Sequence, residues 1–536
     1  MTRATELFGK RTTNAYSKAD KTNRSGHTAF SGSLESDTLS VLITNTLGNT
    51  YYASAKELVG ETLDVLKAMA EKDATFLAKA IVYARNVGLM RLAPIVGLVV
   101  LSAHESSEAK HAFKNIFPKV IRTPDDLREF VSICRSKAIR QGLGGVARDA
   151  VKLWLTKMTE YHAVKYGSAN SKDMTLRDIL RMAHPIPSDP TQANMFKWLV
   201  KGADELKKKD FTKLKMITAL SNLKKTDDEE EAIKIIEDGK LPWEVVVPTV
   251  PKMTTKIWAK LMKNMPYMAL LRNLATLERH DVFKTKKNVD YVAGTLSDPD
   301  HVRKSKQLPF RFFNAYKTYE GEQKITDAIV EALEASSENL PEIDGTVCIA
   351  NDVSGSMGSH INEKSTTTLQ DIAAIMGATL IKKNQDGKII CTPFDDKLYH
   401  PKLNRKDSVI TNSEKLHGNG GGTTLELPVK ELLKNKTKVD VLILITDMEE
   451  NGSGFLTVWN KYKREVNPKA KVFFCNIAPY RDYPTHTNEK DVFYIHGWSD
   501  AVLRYIATAV KGDGQLDAVN AIDLYEKENT SDDAGE

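Results

Sequence analysis

Apolar positions recur along this chain with two different periods, and the change comes near residue 340. Before it the period is helical. Leu63, Leu66 and Ala70 share one face, Leu77, Ile81 and Ala84 the next, and Leu127, Phe130, Val131 and Cys134 follow an i, i+3, i+4, i+7 stripe. Thr123-Pro124-Asp125-Asp126 reads as an N-cap, a first-turn proline and two carboxylates at the positive end of a helix dipole. Pro266 opens a helix carrying Met268, Leu271 and Leu274. Short links between amphipathic helices, without strand-like alternation, predict stacked helical hairpins of the α-solenoid kind. The acidic run Asp227–Glu231 reads as a solvated helix start.

From about Pro341 the grammar changes. Short β-rich runs (Thr346–Ala350, Lys388–Thr392, Val439–Thr446, Lys471–Ile477 and Asp491–Ile495) alternate with helical stretches such as Thr367–Lys383 and Leu425–Leu433. That alternation predicts a parallel sheet covered by helices on both faces, an α/β doubly wound domain. Val441–Ile445 is apolar throughout, as a central strand buried on both sides requires. The expected organisation is a helical part over residues 1–340, an α/β domain over 341–525 and an acidic, disordered tail over 526–536.

Composition adds constraints. With 41% hydrophobic and 27% charged residues the chain is that of a folded protein. Its 536 residues exceed one ordinary core. Cys134, Cys348, Cys391 and Cys475 are far apart without a CxxC pair, which argues against a disulfide framework or zinc cluster and fits a reducing compartment. The start, MTRATELFGKRTTNAY, has no apolar core of a secretory signal, and the run Leu92–Leu101 is too short to span a bilayer. A cytoplasmic location without membrane association is expected. The net charge of +6 hides an asymmetry: residues 1–340 hold 53 Lys and Arg against 41 Asp and Glu, and the remainder 23 against 29. A polyanionic partner would therefore dock on the helical part.

Candidate chemistry lies at the strand ends. Asp352, Ser354 and Ser356 follow the first α/β strand in NDVSGSMGS, a glycine-rich run leads to Thr423 and Thr424, and Asp447 ends the apolar strand in ITD. Ligands of such folds gather at the carboxyl ends of the strands. Two carboxylates with three hydroxyls are hard oxygen ligands, suited to magnesium or manganese and not to zinc or copper. The reading against it makes Ser354 and Thr423 loop caps and the aspartates surface carboxylates. A phosphatase with a nucleophilic aspartate after its first strand would need a second acid two residues on, where Ser354 stands. No GxxxxGK[ST] phosphate loop is present, and no catalysis is expected.

The combination resembles the metal-ion-dependent adhesion site of von Willebrand factor A domains. The resemblance implies that Asp352, Ser354, Ser356, Thr423 and Asp447 hold a divalent cation such as Mg2+, directly or through water, with one position open to an acidic group of a partner. Thr424 stands where relatives often carry aspartate.

Basic residues cluster in the helical part. Residues 251–290 hold nine Lys or Arg, Arg272 among them, against three acids, and Arg303, Lys304, Lys306 and Arg311 follow. Arg135–Lys165, which includes Arg140 and Arg148, forms a second group, with Trp154, Tyr161, His162 and Tyr166 interleaved. Such groups supply salt-sensitive phosphate contacts, and aromatics beside cations stack unpaired bases, although core packing is the plainer role for each aromatic. A basic helical part followed by an A domain resembles the Ro family of RNA-binding ring proteins (TROVE module plus A domain). The likeness shows in LGNTYY, VIRTPDDLREF, KYGSANSKDMTLRDILRMAHPIP, MALLRNLATLE, LPFRFFNAYKTYEG and NDVSGSMGS, in order between Leu47 and Ser359. It implies a monomeric ring of HEAT-like hairpins that binds small Y-type RNAs outside and threads single-stranded 3′ ends of misfolded RNAs through its hole. It further implies a role in noncoding-RNA quality control or decay, in some relatives beside an exoribonuclease, polynucleotide phosphorylase.

Carried over by position, His184 matches a Y RNA-contacting histidine, Lys165 a lysine there, and Arg148 the second arginine of a G-R-A-L-R-K pattern. Gly145 replaces the first of those arginines and Ala169 a further one, and Lys172 stands ready to compensate. A different reading is a metal-dependent adhesion or scaffold protein whose A domain binds an acidic protein partner.

Overall fold

A computed structural model describes residues 21–24, 27–43, 55–136, 138–167, 174–203, 212–307, 309–338, 343–361, 365–383, 388–452, 454–478, 480–485, 489, 491–497, 506, 510 and 515–525. They fall into two compact units, one built from residues 1–59, 341–407 and 411–517, the other from 60–340, 408–410 and 518–536. The tail 526–536 lies outside the described residues.

The second unit is helical throughout its described part, each helix packing on near neighbours in the chain. Ala74–Asn86 lies against Leu92–Ala103 and Ser107–Val120, and Leu92–Ala103 against Pro124–Arg135. Further on, Lys215–Leu223 pairs with Glu229–Gly239, while Lys286–Ser297 and Pro309–Thr318 both pack on Gln323–Glu338. Two of the predicted stripes are fully buried, Leu77, Ile81 and Ala84 in one and Leu127, Phe130, Val131 and Cys134 in the other, while in the first Leu66 and Ala70 are buried and Leu63 is half-buried. Thr123 and Asp126 close a reciprocal capping box at the start of Pro124–Arg135. The acidic run opens the helix Glu229–Gly239, with Asp228 as its N-cap.

Asp126 has a second task. Its buried carboxylate accepts from Arg85 Nη2 at 2.9 Å and from Arg91 Nε at 2.8 Å, which ties three segments of the unit together. Removing one member of such a buried, hydrogen-bonded cluster strands the others' charge.

The first unit holds a five-stranded parallel sheet, with β3 (Val347–Asn351), β4 (Ile389–Cys391), β5 (Val441–Thr446), β6 (Lys471–Asn476) and β7 (Val492–His496) in the spatial order β4-β3-β5-β6-β7. Every residue of β3 and β5 is buried, as strands covered on both faces must be. Below the sheet, Phe455, Trp459, Tyr462 and Phe474 pack with Leu425 and Val429 into one apolar cluster. From β3 the chain goes first to β4 on one side and then to β5 on the other, so a crevice opens between the ends of β3 and β5.

One part of this unit was not visible in the residue pattern. The two-residue strands β1 (Lys21–Thr22) and β2 (Thr28–Ala29) pair antiparallel, and the helix Leu34–Ile43 contacts β7. This early segment thus groups with the sheet, where the periodicity predicts only helix before residue 340.

Asp126→Ala should lower the unfolding free energy by about 3–5 kcal/mol, since it leaves Arg85 and Arg91 without their shared partner. Urea denaturation followed by circular dichroism measures this. A loss below about 1 kcal/mol would mean that the cluster contributes little.

Candidate functional site

The register of the central strands builds the site. Asn351 pairs with Ile445, so the next residue, Asp352, comes level with Thr446 and one step from Asp447. The Asp352 N–H donates to Ile445 O at 2.9 Å, extending the ladder past the end of β3. Thr446 Oγ1 donates to Asp352 Oδ2 at 2.6 Å and the Ser354 N–H to Asp352 Oδ1 at 2.9 Å. Ser354 Oγ and Ser356 Oγ are 3.3 Å apart, and the Ser356 hydroxyl bonds to Asp447.

The threonine arrives from the other side. Gly355 N–H donates to Gly421 O at 3.0 Å, and Asn451 N–H donates to Thr423 O at 2.7 Å, so the glycine-rich loop is stitched to both aspartate-bearing segments. Gly420 has φ +77°, and a Cβ there would lie 3.4 Å from Gly355 Cα. Only glycine meets both demands comfortably. Asp352, Ser354, Ser356, Thr423 and Asp447 are each no more than 3% exposed. All five predicted ligands therefore stand in one buried neighbourhood, and the alternative of surface carboxylates fails on burial.

Burial and the neighbouring Asp447 raise the Asp352 pKa, against the bonds from Thr446 and Ser354. Burial also raises that of Asp447, against its bonds from Ser356 and Glu449. Asp447 Oδ2 is buried with no hydrogen-bond partner. An orphaned carboxylate oxygen beside a second buried carboxylate and three hydroxyls fits a hard divalent cation. Among the described residues no trio of His, Cys, Asp or Glu side chains forms a metal cluster, so such a site depends on its hydroxyls.

Sequence reasoning did not single out the acids beyond Asp447. Glu449 and Glu450 are buried, and burial pushes their pKa values to about 9 and about 8, with Asp482 contributing for Glu449 and Glu426 for Glu450. Their position just past the ITD strand was the available signal.

The helical candidates divide. Arg148, His184, Arg272 and Arg311 are exposed. Arg311 lies over the Phe310 ring at 4.8 Å, and packing around its guanidinium, with Arg272 as a like-charged neighbour, lowers its pKa. His184 caps the helix Leu176–Ala183 in the left-handed conformation, φ 50°, leaving its ring in solvent. Two candidates are structural instead. Arg140 Nη1 donates to both Ser102 O and Ser102 Oγ at 2.9 Å, bracing a turn against the helix Leu92–Ala103. Lys165 pairs with Glu244 at 3.3 Å and bonds to the Tyr161 hydroxyl at 3.2 Å, its side chain only 14% exposed. Burial opposes its charge, but Tyr161 and Glu244 outweigh that and raise its pKa. Lys172 lies outside the described residues. Among the interleaved aromatics Trp154 serves the fold, Nε1 donating to Ile121 O at 2.8 Å. Cys134, Cys348, Cys391 and Cys475 are all free thiols.

Comparison with known proteins extends this picture. Residues 34–241 and 240–346 match the TROVE domain, and residues 346–510 the Ro60 vWA domain. The chain belongs to the TROVE–Ro60 family. It is 25% identical over 474 residues to the RNA-binding protein RO60 of Caenorhabditis elegans, covering 74% of this chain and 72% of that one. To the RNA-binding protein RO60 of Deinococcus radiodurans it is 23% identical over 530 residues, covering 92% and 95%. The crystal structure of the Deinococcus radiodurans RO (RSR) protein shares the fold, with a TM-score of 0.68 at 21% identity over 89% of this chain and 100% of that one. Among the described residues no helix is long and apolar enough to cross a membrane.

The pKa shifts have a sign. Carboxyls raised above their unfolded values bind protons more tightly when folded, so without cations this unit gains stability as pH falls through the raised values. In EDTA, Asp447→Asn should stabilise the chain at about pH 8 by about 1–3 kcal/mol and flatten the gain on acidification to about pH 5. Thermal melts at the two pH values measure it; a variant less stable than the parent at both would refute the repulsion.

Proposed function

We propose that this chain is a non-enzymatic, cytoplasmic RNA-binding protein of noncoding-RNA quality control or decay, with a divalent cation, Mg2+ by preference, in its A domain. The observation that carries the reading is family membership across residues 34–346, with relatives named as RNA-binding. The targets are small Y-type RNAs and structured RNAs with a single-stranded 3′ tail, the tail entering an opening in a monomeric helical ring too narrow for a duplex. An exoribonuclease such as polynucleotide phosphorylase is the partner that would consume such RNA.

The exposed arginines support the reading. Arg272, Arg311 and Arg148 are available to phosphates, while Arg140 and Lys165 are spent on the fold. Guanidinium contacts to phosphate hold through charge and paired hydrogen bonds, and release counterions on binding. The exposed His184 offers a ring for stacking or hydrogen bonding. At the cation site Asp352 and Asp447 would supply charge and Ser354, Ser356 and Thr423 neutral oxygens. A bound cation there neutralises the carboxylate pair and presents a Lewis-acidic position to an anionic group. With Ser354 two residues after Asp352, no second acid stands where a leaving group would need a proton.

Gel-shift titration with a hairpin RNA, tailed or blunt, tests the proposal. The tailed hairpin should bind more tightly, and the double variant Arg272→Ala/Arg311→Ala should weaken it about tenfold and lower the salt slope by about one to two. Lys165→Ala should lower stability and leave the slope unchanged. Equal affinity for tailed and blunt RNA, or an unchanged slope in the arginine variant, contradicts the reading. Mg2+-dependent capture of an acidic protein with no RNA affinity would favour the adhesion alternative.

A further inference from the structure

We infer that Asn23 and Arg24 position the cation-binding segment, so that docking of the early strap, residues 23–24 and 27–43, and ion binding at Asp447 are energetically coupled. The inference rests on the divalent-cation reading above and goes beyond it, since neither residue is a ligand.

The connection runs through one short segment, Asp447–Asn451. Its ends belong to the site: Asp447 carries the orphaned oxygen, and Asn451 N–H donates to Thr423 O at 2.7 Å. Between them the strap takes hold. Asn23 Nδ2 donates to Glu450 O at 2.6 Å in a fully buried bond, and Arg24 N–H donates to Glu449 Oε2 at 2.9 Å. Glu449 N–H in turn donates to Asp447 Oδ1 at 3.2 Å. Two hydrogen bonds thus separate the strap backbone from a candidate ligand.

The segment needs holding. Met448 sits at φ 65°, a left-handed conformation that a residue with a long side chain adopts only under constraint. The strap is well placed to hold it because it is itself anchored elsewhere. Phe30 and Tyr483 exchange backbone bonds of 2.9 and 3.3 Å, while within the strap Asn23 Oδ1 accepts from His27 N–H at 2.8 Å. Asp37 takes the Tyr483 hydroxyl at 3.2 Å and pairs with Arg481 at 3.5 Å.

A cation needs Asp447 and Thr423 at a fixed separation, and ordering the segment between them costs conformational entropy. A docked strap has already met that cost, so the ion binds more tightly to the strapped form. Linkage makes the effect reciprocal: the ion must tighten the strap by the same factor.

The full-length chain serves for the test, with Mg2+ as probe. Calorimetric titration should show Asn23→Ala binding Mg2+ about fivefold more weakly than the parent. In the parent, Mg2+ should slow amide hydrogen exchange across residues 27–43, and in Asp447→Asn it should not. The exchange measurement on the parent needs no strap variant, so it decides the matter even if Asn23→Ala folds poorly. Mg2+ binding that leaves strap exchange unchanged, or that is as tight in Asn23→Ala, overturns the coupling while the cation site stands. A parent chain that binds no Mg2+ overturns both.

Discussion

Two aspartates that water cannot reach, brought to neighbouring positions by the pairing of β3 with β5, are the constraint around which the α/β unit is organised. Asp352 and Asp447 are both fully buried, and each repels the other's charge. Most of the nearby peculiarities answer that problem. Hydroxyls from Ser356 and Thr446 donate to the two carboxylates, and the glycine loop closes over them through bonds to Gly355 and Asn451. The protein supplies fewer donors than the carboxylates accept, and the shortfall at Asp447 Oδ2 is what a cation would fill.

The helical unit follows another logic. Its interior is apolar and its few buried charges are matched, as at Asp126 with Arg85 and Arg91. Its unmatched charge is at the surface, on arginines such as Arg148 and Arg272. Asp126 shares its buried carboxylate with two arginines, whereas Asp352 and Asp447 in the sheet unit have no basic partner between them among the described residues. Charge thus divides the labour much as it divides the sequence.

Much of this could be read in the residues, because the periods are strong where burial is one-sided or complete. The stripe from Leu127 to Cys134 and the continuous run from Val441 to Ile445 both lie where their patterns place them. The five oxygen residues were legible for a related reason: each sits at a strand end or in a glycine loop, positions that topology alone brings together. Lys165 and Arg140 were not, since a count of basic residues cannot see Glu244 or Ser102, whose approach depends on how helices pack. The strap escaped notice because its strands are two residues long and its partners, Glu449, Glu450 and Tyr483, lie more than 400 positions away in the chain.

A cation in the space between the neighbouring aspartates would relieve their mutual repulsion. Crystals soaked in Mn2+ and measured at its absorption edge locate that ion directly. A single anomalous peak bounded by Asp352, Ser354, Ser356, Thr423 and Asp447 is the expected result. An empty map at that position, with the two carboxyls hydrogen-bonded to each other through a shared proton, would contradict it.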